Sequence, residues 1–364
     1  MIEQVRDYIP AIRSSGLRYA VRVAVAGLVS YFLAVSLSLP QGYWAVITAI
    51  VVMQNTVGGS LAAALDRLTG TLLGAAVGFG VAVLHLDGYA AGLALAIALA
   101  PLAYAASVSS RFRVAPMTAA IMLIGVGESA LDPVDAAIGR VLEILLGSSI
   151  GATVALFVLP ARAEFALTQK LAELLRLFSE AIEIDRKAIC EGGDKDDKLL
   201  LNRRIRRASA QAEMLAGEAK QEISAHLAAD IETGPLLRTV RRLRTNLLLI
   251  GRATAGAWPD HARQELSPAI NLLFPALSAH LLVLAEAMEH RRPVPPNEAL
   301  RNALQGFDAT IQKFRANPAS DEMAADETSR VFALAFAVDQ FRRDTRDLTN
   351  RLNERADSHI VPAS

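Results

Sequence analysis

The 364 residues carry 37 Lys+Arg against 37 Asp+Glu, a neutral balance that gives no footing for a nucleic-acid partner. A hydrophobic content of 52% and a mean hydropathy of +0.32 are high for a soluble chain, and a single cysteine, Cys190, excludes an internal disulfide. The charges are unevenly placed: residues 1–160 hold only 8 of the basic and 8 of the acidic side chains, so the chain reads as a lipid-embedded part followed by a water-facing one.

The opening stretch 1–16, MIEQVRDYIPAIRSSG, is mixed and polar, lacks the apolar core of a signal peptide, and is expected to be a cytoplasmic N-terminal segment. Six apolar segments follow at about 17–39, 43–57, 68–84, 88–108, 114–127 and 138–159. Several are long enough to cross a hydrocarbon core of about 30 Å at about 1.5 Å per residue. The turns between them are tight, at Leu39-Pro40-Gln41-Gly42, His85-Leu86-Asp87-Gly88 and Asp132-Pro133, which forces antiparallel neighbours. Arg6, Arg13 and Arg18 precede the first segment, Arg67 the third and Arg111 and Arg113 the fifth, while Arg162 and Lys170 follow the sixth. The opposite loops hold Arg140 beside Glu128, Asp132 and Asp135. The positive-inside rule then puts both termini in the cytoplasm.

The membrane part repeats itself. RLTGTLLGAAVGFGVA (67–82) aligns without a gap on RVLEILLGSSIGATVA (140–155), pairing Arg67 with Arg140, Gly74 with Gly147 and Gly78 with Gly151. The second and fifth segments pair more weakly through Ala45/Ala115, Thr48/Thr118 and Ala49/Ala119. Two three-span repeats, about 17–84 and 88–159, must lie upside down to one another, a plan in which the pathway runs at the repeat interface. Composition alone is the competing explanation of the likeness.

The short second and fifth segments, one ending at Gly58-Gly59 and the other holding Pro116, Gly125 and Gly127, read as interrupted helices. Free backbone groups at such breaks bind ligands. Thr48, Thr118, Gln54 and Asn55 are then either site residues or hydroxyls and amides bonded within their own helices. Arg67 and Arg140 either mark the two mouths of an anion pathway, since guanidinium forks onto carboxylate, or pair locally with Asp66 and Glu143. Asp66, Glu143 and His85 are the groups able to couple transport to protons, although water at span ends argues against a relay. Tyr43-Trp44 reads as an interfacial aromatic belt, with stacking of an aromatic substrate as the sharper alternative. Arg22 reads as an interface anchor, and the glycines at 70, 74, 78, 147 and 151 as close helix packing.

Residues 161–364 read as a cytoplasmic bundle of about six helices, broken at Pro160, Gly192-Gly193, Gly234-Pro235, Trp258-Pro259, 293–296 and Asn317-Pro318. Ser267-Pro268 and Asn297-Glu298 look like helix starts. The apolar run 270–288 resembles a seventh span, but Pro275, His280 and Glu286 argue for a buried bundle helix. No phosphate-binding loop, no paired His/Cys metal spacing and no nucleophile triad occur, so no cofactor, metal or enzyme activity is expected.

The whole six-span block, and in particular LPQGYWAVITAIVVMQ followed by GGSLAAALDRLTGTLLGAAVG, resembles the fusaric-acid-resistance-like family, relatives of the bacterial aromatic carboxylic acid exporters. It is similar, more distantly, to the plant aluminium-activated malate transporters. The resemblance implies an all-α polytopic protein of the bacterial inner membrane that passes small organic anions, with Arg67 above all in the pathway. Larger exporters of this kind carry two membrane blocks in one chain and this chain carries one, which implies a homodimer and leaves room for a periplasmic adaptor. Three readings stand: proton-driven efflux of aromatic or other small organic acids, a passive organic-anion channel, and a non-transporting membrane scaffold or sensor acting through its cytosolic helices.

Overall fold

The computed structural model describes residues 2–84, 86, 88–128, 133–191, 195–224, 233–255, 258, 260–316 and 325–357. Among these residues there are helices and turns and no strand. The chain forms two compact units, one of Met1–Ala163 with Glu218–Ala228, the other of Glu164–Gly217 with Ala229–Ser364.

The first unit holds α1 (Ile2–Ser36), α2 (Tyr43–Val52), α3 (Val57–Ala82), α4 (Gly88–Val108), α5 (Ala115–Glu128) and α6 (Pro133–Phe157), together with the last turns, from Glu218, of α8 (Lys195–Ser224). Helices α3 and α6 touch at its centre, α5 lies on α3, α2 on α6, α1 on α2 and α4 on α5. Four stretches here are long and apolar enough to cross a membrane: Gly16–Ser36 of α1, α3, α4 and Ile138–Phe157 of α6. At 10 and 14 residues, α2 and α5 fall short of the roughly 20 needed to span. The outward surface is oily: α4 buries only Ala98 and Leu102 while Leu93, Ile97, Tyr104 and Val108 stay exposed. Such a face is stable against lipid, not against water.

The break between the second and third segments falls earlier than the sequence suggests. Helix α2 ends at Val52, and Gly58-Gly59 lie inside the first turn of α3, whose N-cap is Thr56. The Thr56 hydroxyl accepts from the Gly59 N–H at 3.0 Å, so the cap overrides the glycine pair as the start signal. Pro116 does not interrupt α5 either. It sits in the first turn, where a missing N–H costs nothing.

Crossed packing depends on two glycines. A Cβ at Gly74 of α3 would stand 2.8 Å from the Thr118 Cβ of α5 and strike the Ala115 carbonyl; one at Gly147 of α6 would stand 2.8 Å from the Thr48 Cβ of α2 and strike the Ala45 carbonyl. Only hydrogen fits at either contact, and the residues of one contact align in sequence with those of the other.

The second unit comprises α7 (Ala163–Cys190) from Glu164, the first part of α8, α9 (Thr233–Ala253), α10 (Asp260–His290), α11 (Glu298–Ala316) and α12 (Ala325–Asp357). One core joins them, with Phe178, Leu243, Phe274, Leu281, Phe307 and Phe341 each about fully buried. Helix α10 is a fifth stretch long and apolar enough to cross a membrane, yet its apolar residues are built into this core, where the Ser278 and Ser179 hydroxyls meet at 2.7 Å. Ser267-Pro268 does not start a helix: α10 runs from Asp260 through both Pro268 and Pro275. Buried Ala262, Leu266, Ile270 and Leu273 continue one face across the first proline, and that burial outweighs an interior proline's cost of about 3 kcal/mol. Gly234-Pro235, read as a break, falls in the first turn of α9. Asn297 does cap α11, its side chain accepting from the Leu300 N–H at 2.9 Å. The expected breaks at Gly192-Gly193 and Asn317-Pro318 lie outside the described residues.

Candidate functional site

Helix α3 brings Arg67, and helix α6 brings Arg140, into the interior of the first unit, with 5% and 4% of their surface exposed. Neither stands at a helix start. Arg67 is ten residues past Val57, about 15 Å along the axis. Both side chains are thus buried on helices that touch one another, α3 and α6.

Arg140 is held from two sides. Its guanidinium carbon sits 3.6 Å from the Trp44 ring centre, and Glu143, one turn on, lies 3.8 Å away. Glu143 also accepts from the Gln41 N–H at 2.9 Å, which ties α6 to the turn before α2. Trp44 therefore stacks on a protein cation, while its neighbour Tyr43 is exposed. Arg67 makes no ion pair with Asp66 among the described residues. The Nε of Arg67 and both terminal nitrogens of Arg140 are buried without a hydrogen-bond partner.

Other buried polar atoms of the first unit are also unmatched. The hydroxyls of Thr48 on α2, Thr71 on α3, Ser148 on α6 and Ser30 on α1 are buried and lack partners among the described residues. Thr71 is one turn after Arg67 and Ser148 two turns after Arg140, so each shares its arginine's helix face. Thr118 differs from its repeat partner Thr48, because it donates to the Val114 carbonyl at 3.2 Å. Sequence reasoning missed Thr71, Ser148 and Ser30. For Thr71 and Ser148 the helical spacing from the two arginines was the signal available; for Ser30 there was none.

The α2–α3 junction is closed by the protein itself. Arg22, read from sequence as an interface anchor, is 1% exposed and donates to the carbonyls of Gln54 and, at 3.5 Å, of Asn55. The Gln54 N–H goes to Ser60 Oγ at 2.9 Å. Every orphan N–H of the first turn of α3 is used: Val57 on the Ala161 carbonyl at 3.0 Å, Gly58 on Glu222 Oε1 at 2.7 Å, Gly59 on the Thr56 hydroxyl and Ser60 on the Thr56 carbonyl at 3.1 Å. Glu222 also takes the Ala163 N–H with both oxygens at 3.1 Å, and Glu218 accepts from the Thr56 hydroxyl at 2.5 Å. The N–H groups of the first turn of α3 thus all have partners within the protein. Gln54 and Asn55 keep exposed side chains at this junction.

Asp66 lies half-buried on α3, and His85 falls outside the described residues. No group of three or more His, Cys, Asp or Glu able to hold a metal occurs among the described residues. What these residues offer is a donor set for an oxyanion: two buried guanidinium groups with unused N–H, and hydroxyls on four helices, α1, α2, α3 and α6.

The comparisons agree with an assignment to the membrane. A family model described as the fusaric acid resistance protein family matches residues 16–361. Over 180 residues the chain is 29% identical to a protein named "Uncharacterized transporter YdhK" from Escherichia coli K12, and equally to its counterpart in Escherichia coli O157:H7, covering 46% of this chain and 26% of each relative. The chain thus spans about a quarter of the length of the curated relatives it matches.

Proposed function

The chain belongs to the fusaric acid resistance protein family, and from that premise we propose that it is a transporter that moves small organic acids, aromatic ones among them, across the inner membrane as anions. The observation that carries this reading is the buried pair Arg67 and Arg140 with unused donors among unmatched hydroxyls. A buried cation without full compensation is costly, and each unsatisfied group calls for an explanation. A carboxylate passing between α3 and α6 supplies the missing acceptors. The family's name, and the transporter named in its E. coli relative, support the same class.

In this reading the first unit contributes six membrane-embedded elements, four that cross and the shorter α2 and α5, arranged as two inverted repeats. The matched contacts of Gly74 on α5 and Gly147 on α2 support that arrangement. Both termini face the cytoplasm, residues 161–364 form the cytoplasmic part, and two chains pair to give the two membrane blocks of larger exporters. Export is driven by the proton gradient, with Glu143 and Asp66 as the proton-accepting groups. A passive organic-anion channel is the second reading, favoured by one observation: Glu143 is already engaged by Arg140 and the Gln41 N–H, which leaves it poorly placed to cycle a proton.

The test is uptake of labelled benzoate into proteoliposomes, with and without an imposed pH gradient, for the wild type and Arg67→Ala. Gradient-driven accumulation lost in the variant supports the exporter. Flux that only equilibrates supports the channel. No flux from folded protein across a panel of acids overturns both and favours a scaffold.

A further inference from the structure

We propose that the second unit carries a separate binding site for a small monocarboxylate with an apolar body, in a cavity of about 160 Å³ between α7, α8 and α9. The walls are largely hydrocarbon, from Ile184 of α7, Leu201 of α8 and Leu247 and Leu248 of α9. An apolar cavity of about 150 Å³ is the size that admits a benzene ring, so the body of the ligand is a ring or a branched chain of similar bulk.

The polar groups decide the rest. Lys198 lines the cavity, but its three donors are already committed: to Asp185 Oδ1 at 2.5 Å, the Gly251 carbonyl at 2.9 Å and the Thr254 hydroxyl at 3.3 Å. The Thr254 hydroxyl itself donates to Asp185 at 2.9 Å. That network is charge-neutral and closes one side of the cavity. Two other lining side chains, Arg252 of α9 and Asn202 of α8, make no hydrogen bond or ion pair among the described residues. A guanidinium and a carboxamide without partners at the rim of an apolar chamber are donors suited to one carboxylate. A fully apolar ligand would leave both unused, and a dicarboxylate would press its second charge into hydrocarbon or against Asp185.

The cavity is built from the second unit alone and the two arginines belong to the first, so direct binding tests it independently of transport. Isothermal titration of the full-length protein in detergent uses three probes: benzoate, benzamide as its neutral isostere, and acetate, which lacks the body. Benzoate should bind, benzamide about tenfold or more weaker, and acetate not measurably. Arg252→Gln, at an exposed position, should weaken benzoate about tenfold, whereas Arg67→Ala should leave this binding intact. Ala181→Leu, which fills the chamber from α7, should abolish it. Hydrogen exchange with benzoate present should slow at α7, α8 and α9. Equal binding of benzoate and benzamide, benzoate affinity unchanged in Arg252→Gln, or no heat at millimolar benzoate overturns the site. Binding lost only in Arg67→Ala would place the carboxylate in the first unit instead.

Discussion

The guanidinium of Arg140 lies over the ring of Trp44, its carbon 3.6 Å from the ring centre. This contact joins α6 to α2 and fixes the direction of a charge that has no hydrogen bond from either terminal nitrogen. Removing the ring face loses about 0.5–2 kcal/mol of cation–π attraction at a desolvated site. Trp44→Leu should therefore lower the melting temperature and raise the apparent KM for the transported anion. Trp44→Phe should largely preserve both, and equal damage from the two would show that ring volume rather than the cation contact matters.

The glycine contacts allow a paired test. Gly147→Ala drives a methyl into the Ala45 carbonyl and to 2.8 Å from the Thr48 Cβ, and Gly74→Ala does the same at Ala115 and Thr118. Overpacking of this kind costs about 1–3 kcal/mol. Both substitutions should lower the unfolding midpoint by similar amounts in detergent. A loss confined to one of them would break the equivalence on which the inverted-repeat reading rests.

Glu222 makes a pH prediction. Burial pushes its carboxyl up from the ordinary range, with the Gly58 and Ala163 N–H groups pulling it back, Glu218 pushing it up and Arg162 opposing. A carboxyl with a raised folded pKa binds its proton more readily folded than unfolded, so this group's contribution to stability improves as pH falls from neutral toward the ordinary glutamate value. Glu222→Gln keeps an acceptor for one N–H without the charge and should flatten that part of the profile. Glu222→Ala orphans both N–H groups and should cost about 1–3 kcal/mol at every pH. Melting curves of the three proteins from neutral to mildly acid pH check the signs.

Local signals were legible and distant ones were not. Asn297 could be read as a cap because its partner Leu300 is three residues away. The glycine spacing could be read because small residues at every fourth position have few other uses in an apolar helix. Glu222 closes the start of α3 across 164 residues of chain, and no local pattern announces that. Arg22 looked like an anchor because an arginine one turn into a span usually reaches for headgroups; here the carbonyls of Gln54 and Asn55 compete for it. Thr71 and Ser148 escaped notice because hydroxyls in apolar helices commonly bond their own backbone, and only the fold shows that these two do not.

The Lys198–Asp185 pair gives the last test. Asp185 is 2% exposed, and its carboxyl is pushed up by burial against the pull of Lys198 and Thr254. Lys198→Met removes the countercharge and leaves a buried carboxylate, which costs about 3–5 kcal/mol. Losing that pull raises the folded pKa further, so the variant should regain stability as the pH falls and Asp185 takes up a proton. Replacing both residues, Lys198→Met with Asp185→Leu, removes the charge altogether and should recover much of the loss at neutral pH. Chemical unfolding of the single and double variants at two pH values decides it. A deficit in Lys198→Met that is the same at both would mean that Lys198 acts through its bonds to Gly251 and Thr254 and not through its charge.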